Sequence, residues 1–97
     1  RNIYLSPVER EEATILYKSL NLAKELISQG ERSTSNIINK MENLISTVKS
    51  SKLDYIAIVS KEDFKKVEYL GKNNSYFILI ACRIGKTRLI DNIIINI

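Results

Sequence analysis

The sequence predicts an α+β fold, with two helices first, packed on one face of a three-stranded antiparallel sheet. Three observations lead there. Apolar residues recur at helical spacing through the first half of the chain. The period switches to two near Leu53. The elements are grouped by type rather than alternating, which favours an antiparallel sheet over βα units.

Residues 7–29 read as the first helix. Ser6 is a suitable N-cap, Pro7 fits the first helical position, and Glu9 completes an S-x-x-E capping box. Ala13, Leu16, Leu20, Ala23 and Ile27 line one face, and Gly30 is placed to end the helix. The second helix is expected from about 34 to 49, with Ser33 as cap. Ile37, Ile38, Met41, Leu44, Ile45 and Val48 form its buried stripe, and Lys40, Glu42, Asn43 and Lys49 fall outside. Ser50-Ser51-Lys52 breaks the pattern.

Residues 53–59 are rich in strand formers. Ser60-Lys61-Glu62-Asp63-Phe64 reads as a turn, at most one helical turn capped by Ser60. Residues 65–70 are a short edge strand or an extended link. Gly71-Lys72-Asn73-Asn74 is a turn. Residues 75–84 are nearly continuous apolar sequence and are expected to form the central strand. Gly85-Lys86 has glycine first, as a type II′ hairpin turn prefers, and residues 87–96 return as the last strand.

Ninety-seven residues, 44% apolar and 27% charged, bound the chain to one soluble-type domain with a single modest core. The longest apolar run, Tyr76 to Cys82, is far short of the roughly 20 residues that span a bilayer. No secretory leader is recognisable before the first helix, and Cys82 has no partner for an internal disulfide. A cytoplasmic location and a buried free thiol are therefore expected. The net charge of +4 suits anionic partners without identifying one. The chain contains no histidine, which excludes Ser-His-Asp, Cys-His and His-based zinc sites among these residues.

Gly85-Lys86-Thr87 resembles the end of a phosphate loop, but Ile80 stands where that loop needs glycine, and a strand pattern follows the lysine. Asn73-Asn74-Ser75 matches a glycosylation sequon and reads as a turn. The hairpin carries a sharper signal. A two-residue turn at 85–86 sets Arg83 opposite Arg88, and facing like charges cost stability unless an anion lies between them. Asp91, Asp54 and Glu62 are candidate carboxylates; a phosphate is the functional alternative. Asp91-Asn92 interrupts an apolar strand without implying chemistry.

Two end motifs carry a family resemblance. The opening Arg1-Asn2-Ile3-Tyr4-Leu5-Ser6-Pro7-Val8-Glu9-Arg10 and the closing Thr87-Arg88-Leu89-Ile90-Asp91-Asn92 resemble the C-terminal domain of pantothenate synthetases (pantoate–β-alanine ligases). There, Ser-Ser-Arg-Asn leads into Tyr-Leu-Ser-Pro-x-Glu-Arg, and the domain closes on Thr-Arg-Leu-Ile-Asp-Asn. The resemblance covers essentially the whole chain. Its surface is richer in Ile, Asn, Lys and Ser than many relatives, without touching either motif.

The resemblance implies that residues 1–97 are one domain, the C-terminal lid of a larger ligase whose Rossmann-type N-terminal domain is the intramolecular partner. That enzyme would condense D-pantoate with β-alanine through a pantoyl-adenylate, using ATP with Mg²⁺, in the pathway to pantothenate and coenzyme A. The full enzyme would be a homodimer, and the isolated domain would be inactive and bind no cofactor. The resemblance assigns ATP-phosphate binding to Arg1 and Asn2, the last two positions of a motif equivalent to the KMSKS loop of class I aminoacyl-tRNA synthetases. A forked, permanently charged guanidinium suits phosphate oxygens. Arg83, Lys86 and Arg88 would face phosphate on lid closure. No catalytic residue and no metal ligand is assigned within these residues, and no membrane contact is implied.

A different class of function is a small basic RNA-binding or structural interaction module. It would place Arg and Lys with Tyr55 and Tyr76 on an exposed sheet face. An aromatic-rich RNP strand and a KH-type G-x-x-G loop are both missing.

Overall fold

The computed structural model describes residues 7–49 and 51–97, with side chains from residue 14 onward. The chain runs α1 (Pro7–Ser28), α2 (Thr34–Ile45), β1 (Ser51–Ser60), β2 (Ser75–Ile84) and β3 (Thr87–Asn96). The three strands form one antiparallel sheet in the order β1-β2-β3. The expected α+β architecture and the central strand at 75–84 are both borne out. The Ser6 cap and the Glu9 side chain lie outside the described residues.

α1 ends as its glycine requires. The Glu31 amide donates to the Leu26 carbonyl at 2.9 Å and the Gly30 amide to Ile27 at 3.0 Å, the paired bonds of a Schellman motif. Gly30 has φ +103°, and a β-carbon there would meet nothing within 4 Å. Its requirement is therefore backbone conformation alone. The Arg32 guanidinium also donates to the Ile27 carbonyl at 2.7 Å, adding positive charge at the helix end. Gly30→Ala is expected to cost about 1 kcal/mol. Urea unfolding checks this; a change near zero would show that the turn can relax to negative φ.

α2 stops at Ile45, four residues before the expected end. The apolar spacing continues through Val48, but hydroxyls compete for the last carbonyls. Ser46 Oγ donates to the Asn43 carbonyl and Thr47 Oγ1 to that of Leu44, both at 2.7 Å. Ser51 Oγ lies 2.9 Å from the Ile45 carbonyl and 2.7 Å from that of Val48. Those groups close the helix in tight turns instead of extending it. Ser33 occupies the N-cap position but makes no side-chain cap bond; its hydroxyl meets Ser35 Oγ at 3.2 Å.

The core lies between the helices and one sheet face. Ile15, Leu16, Leu20, Ala23 and Ile27 of α1 and Ile37, Met41 and Ile45 of α2 pack on Ile58, Tyr76, Ile78, Ile80, Cys82, Ile84, Leu89 and Ile95. Ile15 lies off the stripe named from sequence. Buried Ser19 shares the α1 face, donating its hydroxyl back to the Leu16 carbonyl at 2.8 Å. α2 lies against β1, and α1 against β2 and β3. Residues 65–70 are the extended link, with single bridges at Val59–Lys66 and Ser33–Tyr69. They are tied to the helix layer: the Thr34 amide donates to the Glu68 carbonyl at 3.0 Å and the Leu70 amide to that of Arg32 at 2.9 Å. The turn after β1 is one uncontinued helical turn, with the Phe64 amide on the Ser60 carbonyl at 2.9 Å.

Candidate functional site

Strand alternation divides the sheet into two faces. Even-numbered residues of β2 face the helices: Tyr76, Ile78, Ile80, Cys82 and Ile84 are all buried. The odd-numbered residues form the second face, which no element of the described fold covers as the helices cover the first. Arg83 belongs to that face. It pairs with Lys52 on β1 and with Arg88 on β3. Directly opposed residues lie roughly 4.5–5.5 Å apart at their β-carbons. Three cations therefore form one row across the sheet, at the end carrying the Gly85-Lys86 turn. The opposition of Arg83 and Arg88 follows the sequence expectation. Gly85 has φ +60° and Lys86 is not among the described residues with positive φ, as a type II′ turn requires.

The carboxylate near this row is Asp54. β1 pairs Leu53 with Cys82 and Tyr55 with Ala81, leaving Asp54 as the extra residue of a β-bulge. Its Oδ2 accepts from Nε of Arg88 at 2.7 Å. β1 and β3 flank β2, so this pair reaches over the central strand, where the small side chain of Ala81 leaves room. Ala81 is fully buried even though it lies on the second face. Of the three candidate carboxylates, Asp91 accepts from the Asn92 amide beside it, at 2.8 Å. Glu62 sits in the turn after β1, at the opposite end of that strand from Lys52. Neither forms an ion pair with the arginines among the described residues.

The structural reading of the arginine pair therefore holds for Arg88. Arg88 is held by a carboxylate. Arg83 is exposed, and its guanidinium makes no hydrogen bond or ion pair among the described residues. Lys52 and Lys86 are exposed as well, and sequence reasoning did not place Lys52 here. Arg1 and Asn2 lie outside the described residues. Lys24, Ile27 and Ser28 line a groove of about 400 Å³ with residues 94–97, so the last turn of α1 lies beside the last residues of β3, away from the cation row.

Below that row the second face is largely apolar. Tyr55, Ile90 and Ile94 are 41%, 55% and 48% exposed, and Phe64 packs on Phe77 at 5.4 Å between ring centres. Tyr76 does not belong to it. It is buried on the helix side, and its hydroxyl accepts from the Gly71 amide at 2.7 Å. The paired exposed tyrosines of the RNA-binding reading are therefore absent. Burial pushes the Cys82 thiol above its ordinary pKa, against a lowering by its hydrogen bond with the Lys52 backbone and with a further rise from the Asp54 charge. It remains a protonated core thiol rather than a nucleophile. Among the described residues, no helix is long and apolar enough to cross a membrane, and no group of three or more acidic, cysteine or histidine side chains could hold a metal.

Comparison with known proteins follows the same outline. A family model described as Pantoate-beta-alanine ligase matches residues 1–94. The chain is similar to the pantothenate synthetase of Caldicellulosiruptor saccharolyticus, with 44% identity over 97 residues, all of this chain and 34% of the relative. It is 48% identical over 92 residues to that of Enterococcus faecalis, covering 95% of this chain and 32% of the relative. A crystal structure of the pantothenate synthetase from Thermus thermophilus superposes with a TM-score of 0.84 at 30% identity, over 95% of this chain and 32% of that one. The chain thus spans about a third of the length of the curated relatives it matches.

Proposed function

This chain belongs to the pantoate-beta-alanine ligase family, and from that premise we propose that it is the C-terminal lid domain of an enzyme joining D-pantoate to β-alanine. The observation that carries the proposal is the match over residues 1–94, supported by a superposition that covers 95% of this chain and 32% of a solved relative. The partner is the Rossmann-type N-terminal domain of the same protein, and the enzyme works as a cytoplasmic homodimer.

In the proposed reaction a pantoate carboxylate oxygen attacks the α-phosphorus of ATP, and pyrophosphate leaves with the electron pair of the broken P–O bond. The β-alanine amine then attacks the acyl carbon of the adenylate, loses a proton, and AMP leaves. Arg1 and Asn2 bind the phosphates. Arg83, Lys86 and Arg88 bring further positive charge when the lid closes. Closure also keeps water from the acyl-adenylate, which hydrolysis would waste. Magnesium enters with the phosphates, and no step is assigned to it through this chain.

The test is a pair of reactions with pantoate, β-alanine, ATP and magnesium. The 97-residue chain alone is expected to release no AMP. Fused behind the N-terminal two-thirds of the Enterococcus faecalis relative, in place of that protein's own last third, it is expected to yield AMP and pantothenate in equal amounts. A folded fusion that is inert beside an active parent enzyme would overturn the assignment.

A further inference from the structure

We propose that Lys52, Arg83 and Arg88 form a defined binding site for a di- or triphosphate group, and that Asp54 is its positioning residue. The inference rests on the proposed function for its biological ligand, and it adds two residues which that reading does not name.

Lys52, Arg83 and Arg88 stand in one row with a single carboxylate beside them, so two positive charges are left without a counter-ion on the described fold. A fold selected for stability alone would gain from a second acid or a neutral residue in that row. Geometry supplies the rest. Asp54 accepts at Nε of Arg88, and its side chain is 33% exposed against 43% for the arginine. Nε lies on the inner side of the guanidinium, so this bond leaves the terminal Nη1 and Nη2 pair unengaged. Those two amines are the edge that takes two phosphate oxygens side by side. The bulge places the acid where it can reach over Ala81 to fix that orientation. Arg83, whose guanidinium has no partner among the described residues, is the register neighbour of Arg88, and Lys52 adds a point charge on its far side. Three donors across roughly 10 Å of sheet match a chain of two or three phosphates better than a single one.

Departing from the expectation that the isolated domain holds no ATP, the row should take a polyphosphate by itself: inorganic pyrophosphate and tripolyphosphate are the probes, titrated into the ¹⁵N-labelled 97-residue chain at low salt, with amide shifts read residue by residue. Shifts should concentrate at 52–55 and 81–90. Arg83→Gln should weaken binding about tenfold, the loss of one charge-assisted contact. Lys24→Gln, at the other end of the domain, removes the same net charge and should change it less than twofold. Equal losses in both variants, or shifts spread over the whole surface, would overturn the site.

Asp54 gives a test of sign. By charge alone, removing this acid should tighten anion binding. If it orients Arg88, Asp54→Ala should weaken binding, whereas Asp54→Asn, which keeps an acceptor at Nε and removes the opposing charge, should bind at least as well as the parent. Tighter binding in Asp54→Ala would refute the positioning role. A single-stranded oligonucleotide that outcompetes tripolyphosphate would replace the proposed ligand with nucleic acid. An inert fusion enzyme with intact pyrophosphate binding would sink the ligase reading and leave the site standing. An active fusion with no binding at the row would do the reverse.

Discussion

Arg1→Ala, introduced into the fusion with the N-terminal two-thirds of the Enterococcus faecalis relative, is expected to slow adenylate formation by about 10²–10³-fold while leaving pantoate affinity nearly unchanged. That scale is typical of removing one preorganised donor from a developing oxyanion. Negative charge grows on the leaving pyrophosphate as the α-phosphorus is attacked. A guanidinium against the phosphates is therefore worth more in the transition state than in the ground state. Arg1→Lys should recover only part of the rate, because the charge remains and the two-pronged geometry is lost. Rapid-quench measurement of pyrophosphate release separates this step from the later amine attack. An unchanged burst rate in Arg1→Ala would leave the lid to act through shape alone.

Ile80→Ala is expected to cost about 2–5 kcal/mol, the range for truncating a buried aliphatic side chain. Ile80 is fully buried at the middle of the central strand, between Ile56 and Asp91 in register, with the helix layer above it. Neighbours anchored on both edges cannot collapse freely into the space. A domain of this length holds only about 5–15 kcal/mol in total, so the loss would be a large share of its stability. Leu20→Ala, at 2% exposure on α1, belongs to the same class. Ile90→Ala is the control: its side chain is 55% exposed, and its loss should stay within about 0.5 kcal/mol. Urea unfolding of the three variants decides the matter, and a loss at Ile80 as small as that at Ile90 would mean the core is not packed as described.

Much of this architecture is legible without coordinates because local and long-range signals agree. Gly30, the Asn73-Asn74 turn and Gly85 punctuate the chain at the positions where the backbone turns, and residues 75–84 are apolar on both sides as a central strand must be. The failures have physical causes. Val48 extends an apolar stripe past Ile45, and only the carbonyl partners of Ser46, Thr47 and Ser51 show why the helix stops. The RNA-binding reading set Tyr76 on the exposed face and the structure buries it on the other, because a continuous apolar run has no alternation to read. The arginine pair was legible from a two-residue turn, but choosing Asp54 over Asp91 and Glu62 needed the third strand. Lys52 was missed for the same reason: its place in the row depends on its pairing with Arg83, a residue more than thirty positions away in sequence.

The extra residue in β1 also acts as a frame-setter, like one surplus letter in a text read in pairs. Between Tyr55 and Val59 the odd positions look away from the helices; before Asp54, the even ones do. Straight pairing with Asp54 kept in the ladder would swap the upstream residues, turning Lys52 toward the helices and Leu53 toward water. Removing Asp54 altogether has the opposite consequence. Leu53 would stay opposite Cys82 and Tyr55 opposite Ala81, now joined without interruption, and both faces would keep their residues. The polarity of that strand end is thus set by residue count as much as by residue identity. Loss of the surplus residue should leave the strand's two faces intact while freeing Arg88 from its acid, whereas pairing that absorbs it into the ladder would misplace every side chain upstream.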